Sequence, residues 1–210
     1  YLFFLLFTIN IFSQQDYYWV GGNGNWSNYS SHWATSSGGN IFHTTSPGSN
    51  DNVIFDNNSF DNENQTVTLD ADNDSVGDIT WFGVSNNTKF NMGSRALIIY
   101  GSVKFDPLMT IQSPGTLKFT SSSSATLISA GLPIGSIQVE KTGGTFDQLD
   151  NYNFSGSMQI KDGTTYNTND YDLQIGGIYL YPSESGVVST TFHSGSSDIN
   201  LTGGSFEISD

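Results

Sequence analysis

The stretch SIQVEKTGGTFDQLDNYNFSGSMQI, residues 136–160, carries the pattern that decides the fold. It begins and ends with the same template, in which a small residue is followed by an apolar, a variable and a second apolar residue. The template recurs twice more downstream, and its first apolar position falls on Ile137, Met158, Ile178 and Phe206. These positions are separated by 21, 20 and 28 residues. One equivalent strand in about 20 residues predicts the successive coils of a solenoid.

The whole chain favours strands over helices. Apolar residues do not follow helical spacing, and Gly, Asn, Ser, Thr and Asp interrupt every stretch. We therefore expect an all-β protein, a right-handed parallel β-helix (β-solenoid) whose equivalent strands stack about 4.8 Å apart. Residues 173–180, LQIGGIYL, are interpreted as two strands that meet at a glycine corner. Upstream of Ile137 the period is not well kept, so a β-sandwich remains the alternative.

Composition divides the chain into three segments. Residues 1–15 are expected to be a signal peptide truncated at its start, 16–65 a Trp- and Gly-rich N-terminal cap, and 66–210 the β-solenoid coils, incomplete at the C-terminus. The 28-residue interval predicts a corner loop near 181–197, where Pro182 and several serines lie. We interpret the chain as a monomeric segment of a longer protein.

The first twelve residues, YLFFLLFTINIF, are almost entirely apolar but shorter than the roughly 20 residues that span a bilayer. They are typical of the hydrophobic region of a secretory signal peptide, and Ser13 is the small residue expected before the cleaved bond. The start Met and the basic region are absent. We therefore expect a protein that is secreted or held on the outer cell surface, without membrane insertion after cleavage.

The charge composition excludes one class of partner. Six Lys and Arg residues face twenty Asp and Glu residues, a formal net charge of −14, and the cations are scattered singly. Nucleic acid is therefore not an expected partner, because its binding requires a basic stripe that neutralises phosphates. The chain has no cysteine, which rules out disulfides and cysteine-based metal sites.

Residues 17–81 differ from the rest because they hold all four tryptophans. Trp19, Trp26 and Trp33 come seven residues apart. They are expected to cap the first coil, or alternatively to form an exposed platform on which sugars stack. As a glycan-binding module the chain would use exposed aromatic rings along one flat face, and the candidates are Trp19, Trp26, Trp33, Tyr100, Tyr179 and Tyr181.

The same region contains a series of phrases: YWVGGNGNWS at 18–27, HW at 32–33, DNVIFD at 51–56 and VTLD at 67–70. Their order resembles the opening module of large Bacteroidetes surface proteins with a YWVGGxGNWSDxxHW phrase followed by DNVxFD and VTxD. The resemblance covers about a third of the chain. It implies an adhesin-like protein with a repetitive β region, exported by type IX secretion and retained at the surface by a C-terminal sorting domain that this chain lacks.

Two modifications of the sequence around residue 75 are predicted. The carboxylates of Asp70, Asp72, Asp74 and Asp78 are spaced as in a calcium loop, although Ser75 and Trp81 occupy positions where an EF-hand has Gly and Glu. Ca²⁺ is therefore the one cofactor considered, against a solvated turn. Asp74-Ser75-Val76 also resembles the acceptor phrase for O-glycosylation in Bacteroidetes, which makes Ser75 a candidate glycosylation site.

No catalytic group is recognisable, and we expect the chain not to be an enzyme. Arg95 is the only arginine, the three histidines are isolated, and the later aspartates lie in Gly-, Asn- and Thr-rich stretches that look like corners. The expected function is that of an adhesin-like or structural scaffold fragment. Alternatives are a module that binds extracellular polysaccharide or cell-surface components, and a β-helix polysaccharide lyase or hydrolase.

Overall fold

A computed structural model describes residues 13–84, 87–161, 163–181 and 190–208 of the chain, which form a β-solenoid of stacked parallel coils. This confirms the predicted all-β solenoid. Within those ranges, antiparallel pairing occurs only near the N-terminus, where β1 (Asp16–Trp19) pairs with β3 (Trp33–Ala34) and Ala34 bridges Phe42. The β-sandwich alternative is therefore wrong. The apolar leader at 1–12 lies outside the described residues.

The elements follow one another as short strands with a single helical turn, α1 (Tyr29–His32). In chain order the remaining strands are β2 (Gly24–Asn25), β4 (Asn52–Phe55), β5 (Thr66–Thr68), β6 (Asp74–Val76), β7 (Ile79–Trp81), β8 (Lys89–Asn91), β9 (Ala96–Ile99), β10 (Val103–Lys104), β11 (Thr110–Gln112), β12 (Thr116–Ser121), β13 (Ala125–Ile128), β14 (Ser136–Lys141), β15 (Thr145–Gln148), β16 (Tyr152–Asn153), β17 (Ser157–Lys161), β18 (Thr165–Asn167), β19 (Leu173–Ile175), β20 (Gly177–Tyr181), β21 (Thr191–His193), β22 (Ile199–Leu201) and β23 (Phe206–Ile208).

The strands form the sides of a three-sided solenoid. Sheet A has the order β21-β18-β15-β13-β10-β7-β4-β1-β3, and sheet C the order β23-β20-β17-β14-β12-β9-β6. Between A and C the early coils pass through sheet B, β11-β8-β5-β2, and the late coils through sheet D, β16-β19-β22. One coil has no strand on this side: Ser129–Gly135 joins β13 to β14 directly and buries Leu132 and Ile134.

Sheet C keeps the register that the sequence template predicts. Ile137 lies opposite Met158, Met158 opposite Ile178, and Ile178 opposite Phe206. The register also continues upstream, where Ile137 pairs with Leu117 and Leu117 with Leu97, each 20 residues earlier. The expectation that the period fails upstream of Ile137 was therefore wrong for sheet C.

The period varies on sheet A because the corner segments differ in length. Val53, Ile79 and Val103 are aligned in sheet A although they are 26 and 24 residues apart. In the last coil the extra residues of the 28-residue interval fall mainly between β20 and β21, where 182–189 lie outside the described residues. The predicted corner loop, including Pro182, belongs to that segment.

Two rows of apolar side chains from sheet C run through the core. Alternate residues of a strand point to opposite faces, so each strand contributes two inward side chains. The first row is Leu97, Leu117, Ile137, Met158 and Ile178, and the second is Ile99, Phe119, Val139, Ile160 and Leu180. All ten are buried. Stacking of like positions thus builds one continuous core rather than a separate core for each coil.

Glycine stacks on glycine at the corner before sheet C. A Cβ atom on Gly156 would lie 2.1 Å from the carbonyl oxygen of Gly135, and one on Gly135 would lie 2.3 Å from that of Gly115. Gly176 and Gly204 continue this column in the next two coils. The backbones approach too closely there for any side chain, which confirms the glycine corner interpreted at 173–180.

Aromatic rings close the N-terminal end of the core. The rings of Trp19 and Trp26 both meet that of Trp33 edge to face, with centroids 4.9 and 5.0 Å apart. Phe55 continues the packing by stacking on Trp81 at 3.8 Å. Trp33 is tied further by its Nε1–H, which donates to the Trp26 carbonyl at 2.7 Å. The Trp-rich segment therefore packs as an end layer on the first coils.

Candidate functional site

The corner carboxylates mostly join one coil to the next. Asp78 accepts a hydrogen bond from the Ser102 amide at 2.6 Å, and Asp172 accepts one from the Asp198 amide at 3.0 Å. Asp150 accepts from the amides of Ser129 and Ala130 at 2.8 and 2.6 Å. These aspartates satisfy backbone N–H groups that the turns would otherwise leave without partners. The abundance of Asp at corners therefore has a structural cause.

The four aspartates of the predicted calcium loop do not converge. Asp70 accepts hydrogen bonds from Ser27, Asp72 from the Ala96 amide, and Asp78 from Ser102. Across the ranges that the structure describes, no group of three or more His, Cys, Asp or Glu side chains is placed to hold a metal ion. The calcium arrangement is not formed because Asp74 belongs to the extended strand β6, which draws the carboxylates apart.

Asp74 and Ser75 lie at the N-terminal edge of sheet C. One carboxylate oxygen of Asp74 is buried without a hydrogen-bond partner in the structure. Burial, and secondly the charge of Asp70, raise the pKa of the Asp74 carboxyl above its ordinary value. Ser75 is half-buried and lies opposite Ile98, so its hydroxyl belongs to the outer side of the sheet. Its glycosylation stays a prediction.

The structure separates the aromatic candidates into two groups. Trp19, Trp26 and Trp33 are fully buried, so none of them offers a ring face on which a sugar could stack. Tyr179 and Tyr181 are half-buried on the outer side of β20, opposite Gln159 and Lys161. Tyr100 is 41 % exposed and directly follows β9. All three tyrosines thus belong to the outer face of sheet C.

Two rows of side chains make up this outer face. The first row is Ile98, Lys118, Gln138, Gln159 and Tyr179, and the second continues from Tyr100 through Thr120, Glu140 and Lys161 to Tyr181. Each row contributes one residue per coil. The tyrosines therefore lie at the ends of two rows whose middle positions are polar or charged.

Polar contacts connect three consecutive coils in the middle of the face. The carboxylate of Glu140 pairs with Lys118 Nζ at 2.8 Å and also with Lys161 Nζ. Beside this network, Gln138 Nε2 donates to Gln159 Oε1 at 3.1 Å. Side-chain bonds across a parallel sheet hold the coils in register.

The network determines the ionisation of its carboxylate. Burial alone would raise the pKa of Glu140, but hydrogen bonds and charge from Lys118 and Lys161 outweigh it and lower the pKa below its ordinary value. Nearby, Lys141 is buried at the end of β14, where Nζ donates to the Ser121 hydroxyl at 3.1 Å. Burial lowers the pKa of Lys141.

The face also departs from the charge of the protein as a whole. The strands β9, β12, β14, β17 and β20 contain three lysines and one glutamate, a net charge of +2. The complete chain carries −14. Half of the six cationic residues in the sequence therefore lie in these five strands.

Sequence reasoning missed the polar members of the face. Lys118, Gln138 and Gln159 occupy the variable position of the repeated template, as Tyr179 does. Alignment of that position across coils would have placed all four side chains in one outward row. The signal was therefore present, but attention to the apolar positions of the template hid it.

The histidines have structural partners rather than catalytic ones. The ring of His43 stacks on Tyr17 with centroids 3.6 Å apart, at the side of a cleft of about 540 Å³ lined also by Asn50 and Asp51. His32 stacks on Trp19 at 4.5 Å, and its Nδ1 lies 2.7 Å from the Val20 carbonyl oxygen. These contacts account for the positions of both rings.

Comparison with known proteins assigns no role to the outer face of sheet C. Its role must be inferred from its own contacts, charge and exposure. In the described ranges, no helix has the length and apolar character needed to cross a membrane. No protein-family model, curated protein or solved structure shows significant similarity to the chain.

Proposed function

We propose that the chain is a scaffold segment of a secreted, adhesin-like surface protein and that it has no catalytic role. The observation that carries the proposal is the uninterrupted stacking of coils in sheet C, from Leu97 to Phe206. Such stacking extends a protein in one direction, because each coil contacts only its neighbours. An extended and regular support is what a surface scaffold requires.

The hydrogen bonds at the corners support the same role. Exported proteins often use disulfides for stability, but this chain has no cysteine. Its coils are joined instead by backbone ladders and by side chains such as Asp78 and Asp172, which accept amides of the following coil. Fold stability of this kind does not depend on the redox state of the surroundings.

The start of the first coil is compatible with removal of the leader. The Asn52 amide donates to the Gln15 carbonyl at 2.8 Å, and the Gln15 amide donates to Asp51 Oδ1 at 3.2 Å. Residues directly after Ser13 therefore already belong to the folded structure. Cleavage after Ser13 would leave these contacts in place, which supports export as part of the proposal.

The enzyme alternative is not favoured by the carboxylates that were its candidates. Asp147 is hydrogen-bonded to Thr145 and Asn167, both at 2.6 Å, and Asp150 accepts from Ser129 and Ala130. A hydrolase requires two carboxyl groups free to act on a bond between them. These side chains are already committed to contacts within the solenoid.

The proposal is tested by locating the protein on the cells that produce it. We expect an antibody against the folded chain to label intact cells, and added protease to remove the label without cell lysis. N-terminal sequencing of the surface form should begin at Gln14. Recovery of the protein only from the cytosol, with residues 1–12 still attached, would contradict the proposal.

A further inference from the structure

We propose that the outer face of sheet C binds a linear acidic polysaccharide. The site consists of Tyr179 and Tyr181 together with Gln159, Lys118 and Lys161, and its ligand class is a sugar chain that bears carboxylate groups. The inference goes beyond the scaffold role, since a scaffold needs no ligand. It would supply the contact by which an adhesin-like protein holds extracellular material.

The aromatic part of the site is a shelf formed by two rings on one strand. Tyr179 and Tyr181 project from the same side of β20, because they are two residues apart in a strand. Tyr179 lies over Gly177, where a Cβ atom would be 3.1 Å from two atoms of the tyrosine side chain. Glycine at this position therefore lets the ring lie along the sheet instead of standing away from it. A ring held in this way presents an apolar surface and a hydroxyl to a sugar.

The charged part of the site gives the preference for an acidic ligand. Lys161 retains 49 % of its side-chain exposure and Lys118 28 %, although both pair with Glu140. Each ammonium has three N–H donors, so a pairing with Glu140 leaves donors on both lysines for a ligand carboxylate. On the strands β9, β12, β14, β17 and β20 the net charge is +2, and this local excess attracts an anion that the protein as a whole, at −14, repels.

The stacking of coils arranges these groups at a useful spacing. Gln138, Gln159 and Tyr179 follow one another along a row, in strands about 4.8 Å apart. The second row, with Glu140, Lys161 and Tyr181, runs beside it. A polysaccharide lying across the strands would meet a polar or aromatic side chain at each coil. Polymer binding is therefore favoured over binding of a single small sugar.

Other surfaces of the described structure are less suited to this ligand. The shallow groove on sheet D, of about 280 Å³, exposes the amides of Asn153 and Gln174 but is bordered by Asp172 and Asp198. The cleft beside His43 is lined by Asp51. Carboxylates at both places repel an acidic polymer. The outer face of sheet C combines aromatic rings, amides and an excess of positive charge.

The test uses electrophoresis of the folded full chain through gels that contain polygalacturonate, with dextran as the neutral polymer. We expect polygalacturonate to retard the protein and dextran not to do so, and we expect retardation to weaken as salt is added. Lys161→Gln should weaken the affinity about threefold, and the double variant Tyr179→Ala/Tyr181→Ala about tenfold.

Matched variants separate the site from general effects. Lys104→Gln removes the same charge from an exposed lysine of sheet A, and Tyr171→Ala removes an exposed tyrosine from a corner. Both should bind as the unaltered chain does, and thermal unfolding of every variant verifies that it is folded. The inference is overturned if the unaltered chain is not retarded by polygalacturonate, if dextran retards it equally, or if the control variants lose as much affinity as the site variants.

The result can be told apart from a failure of the proposed function. Gel retardation depends only on the purified chain, whereas the scaffold proposal depends on where cells place the protein. Binding by a protein found in the cytosol would remove the scaffold role and leave the site. A surface protein that binds no acidic polymer would leave the scaffold role and remove the site.

Discussion

The N-terminal end and the later coils of this solenoid reach the same architecture by different means. From Asp16 to Trp81 the core is held by large aromatic rings, the strands are short, and one pair is antiparallel. From Ala96 to Tyr181 the core is built from medium-sized apolar side chains that repeat at one register. The first region depends on particular side chains and the second on periodicity. Mutations should therefore act through single contacts in the former and through stacking in the latter.

The largest effect is expected in the aromatic end layer. Trp33→Ala removes a fully buried ring that contacts both Trp19 and Trp26, and we expect it to lower the free energy of unfolding by about 4 kcal/mol. Met158→Ala, in the middle of the later core row, should cost about 3 kcal/mol. Urea denaturation followed by tryptophan fluorescence measures both. Equal tolerance of Trp33→Ala and a surface substitution would show that the aromatic layer is not needed.

The glycine column at the corner before sheet C provides the next effect. Gly156→Ala brings a Cβ atom within 2.1 Å of the Gly135 carbonyl oxygen, so the coils must separate locally. We expect a loss of about 2 kcal/mol in the free energy of unfolding. Gly203→Ala is the control, because a Cβ atom there meets no atom within 4 Å. If both substitutions have the same small effect in thermal unfolding, close stacking at the corner is not a constraint.

Opposite pH dependence is expected from one carboxyl in each region. The pKa of Glu140 is lowered in the folded state, so its contribution is present above the unfolded pKa and is lost as the pH falls through the folded pKa. The pKa of Asp74 is raised in the folded state, so stability increases as the pH falls through that folded value.

Two substitutions test this difference. Asp74→Asn should stabilise the protein at pH 7 by about 1 kcal/mol, because it removes a charge next to a buried unpartnered oxygen. Glu140→Gln should destabilise it at pH 7 by about 1 kcal/mol or less. Denaturation curves at pH 7 and at about pH 3.5, below the ordinary Glu pKa, should show both effects shrinking. The same sign for the two variants at pH 7 would contradict these assignments.

The smallest effect is expected on the outer face of sheet C. Gln138→Ala removes the hydrogen bond to Gln159, and because both groups are partly open to water the loss should be about 0.5 kcal/mol. Gln112→Ala, at an exposed position of sheet B, is the control and should have no measurable effect. A loss as large as that of Met158→Ala would mean that the outer rows, and not the core rows, hold the coils together.

Sequence reasoning predicted the later coils well because their pattern is local and repeated. Ile137, Met158, Ile178 and Phe206 could be aligned by their template alone, and the structure pairs them in that order. Varying corner lengths obscured the period elsewhere, since insertions shift the strands of sheet A without disturbing those of sheet C. The full length of the repeat could therefore not be recovered from spacing.

The candidate site was only partly predictable. Tyr100, Tyr179 and Tyr181 were named from the sequence, and the register brings them to one face. The burial of Trp19 and its neighbours depends on contacts between distant segments, which local patterns do not contain. In the same way, the calcium spacing around Asp74 assumed a turn where pairing with β9 makes a strand.

The most direct test of the stacked register is a set of distances between spin labels on one outer row of sheet C. The chain has no cysteine, so pairs of labels can be introduced by combining Ile98→Cys with Gln138→Cys, Gln159→Cys or Tyr179→Cys. Four coil steps separate Ile98 from Tyr179, so the backbone distances should increase by about 4.8 Å per step to about 19 Å. Distances that do not increase with the number of coils would contradict the parallel solenoid.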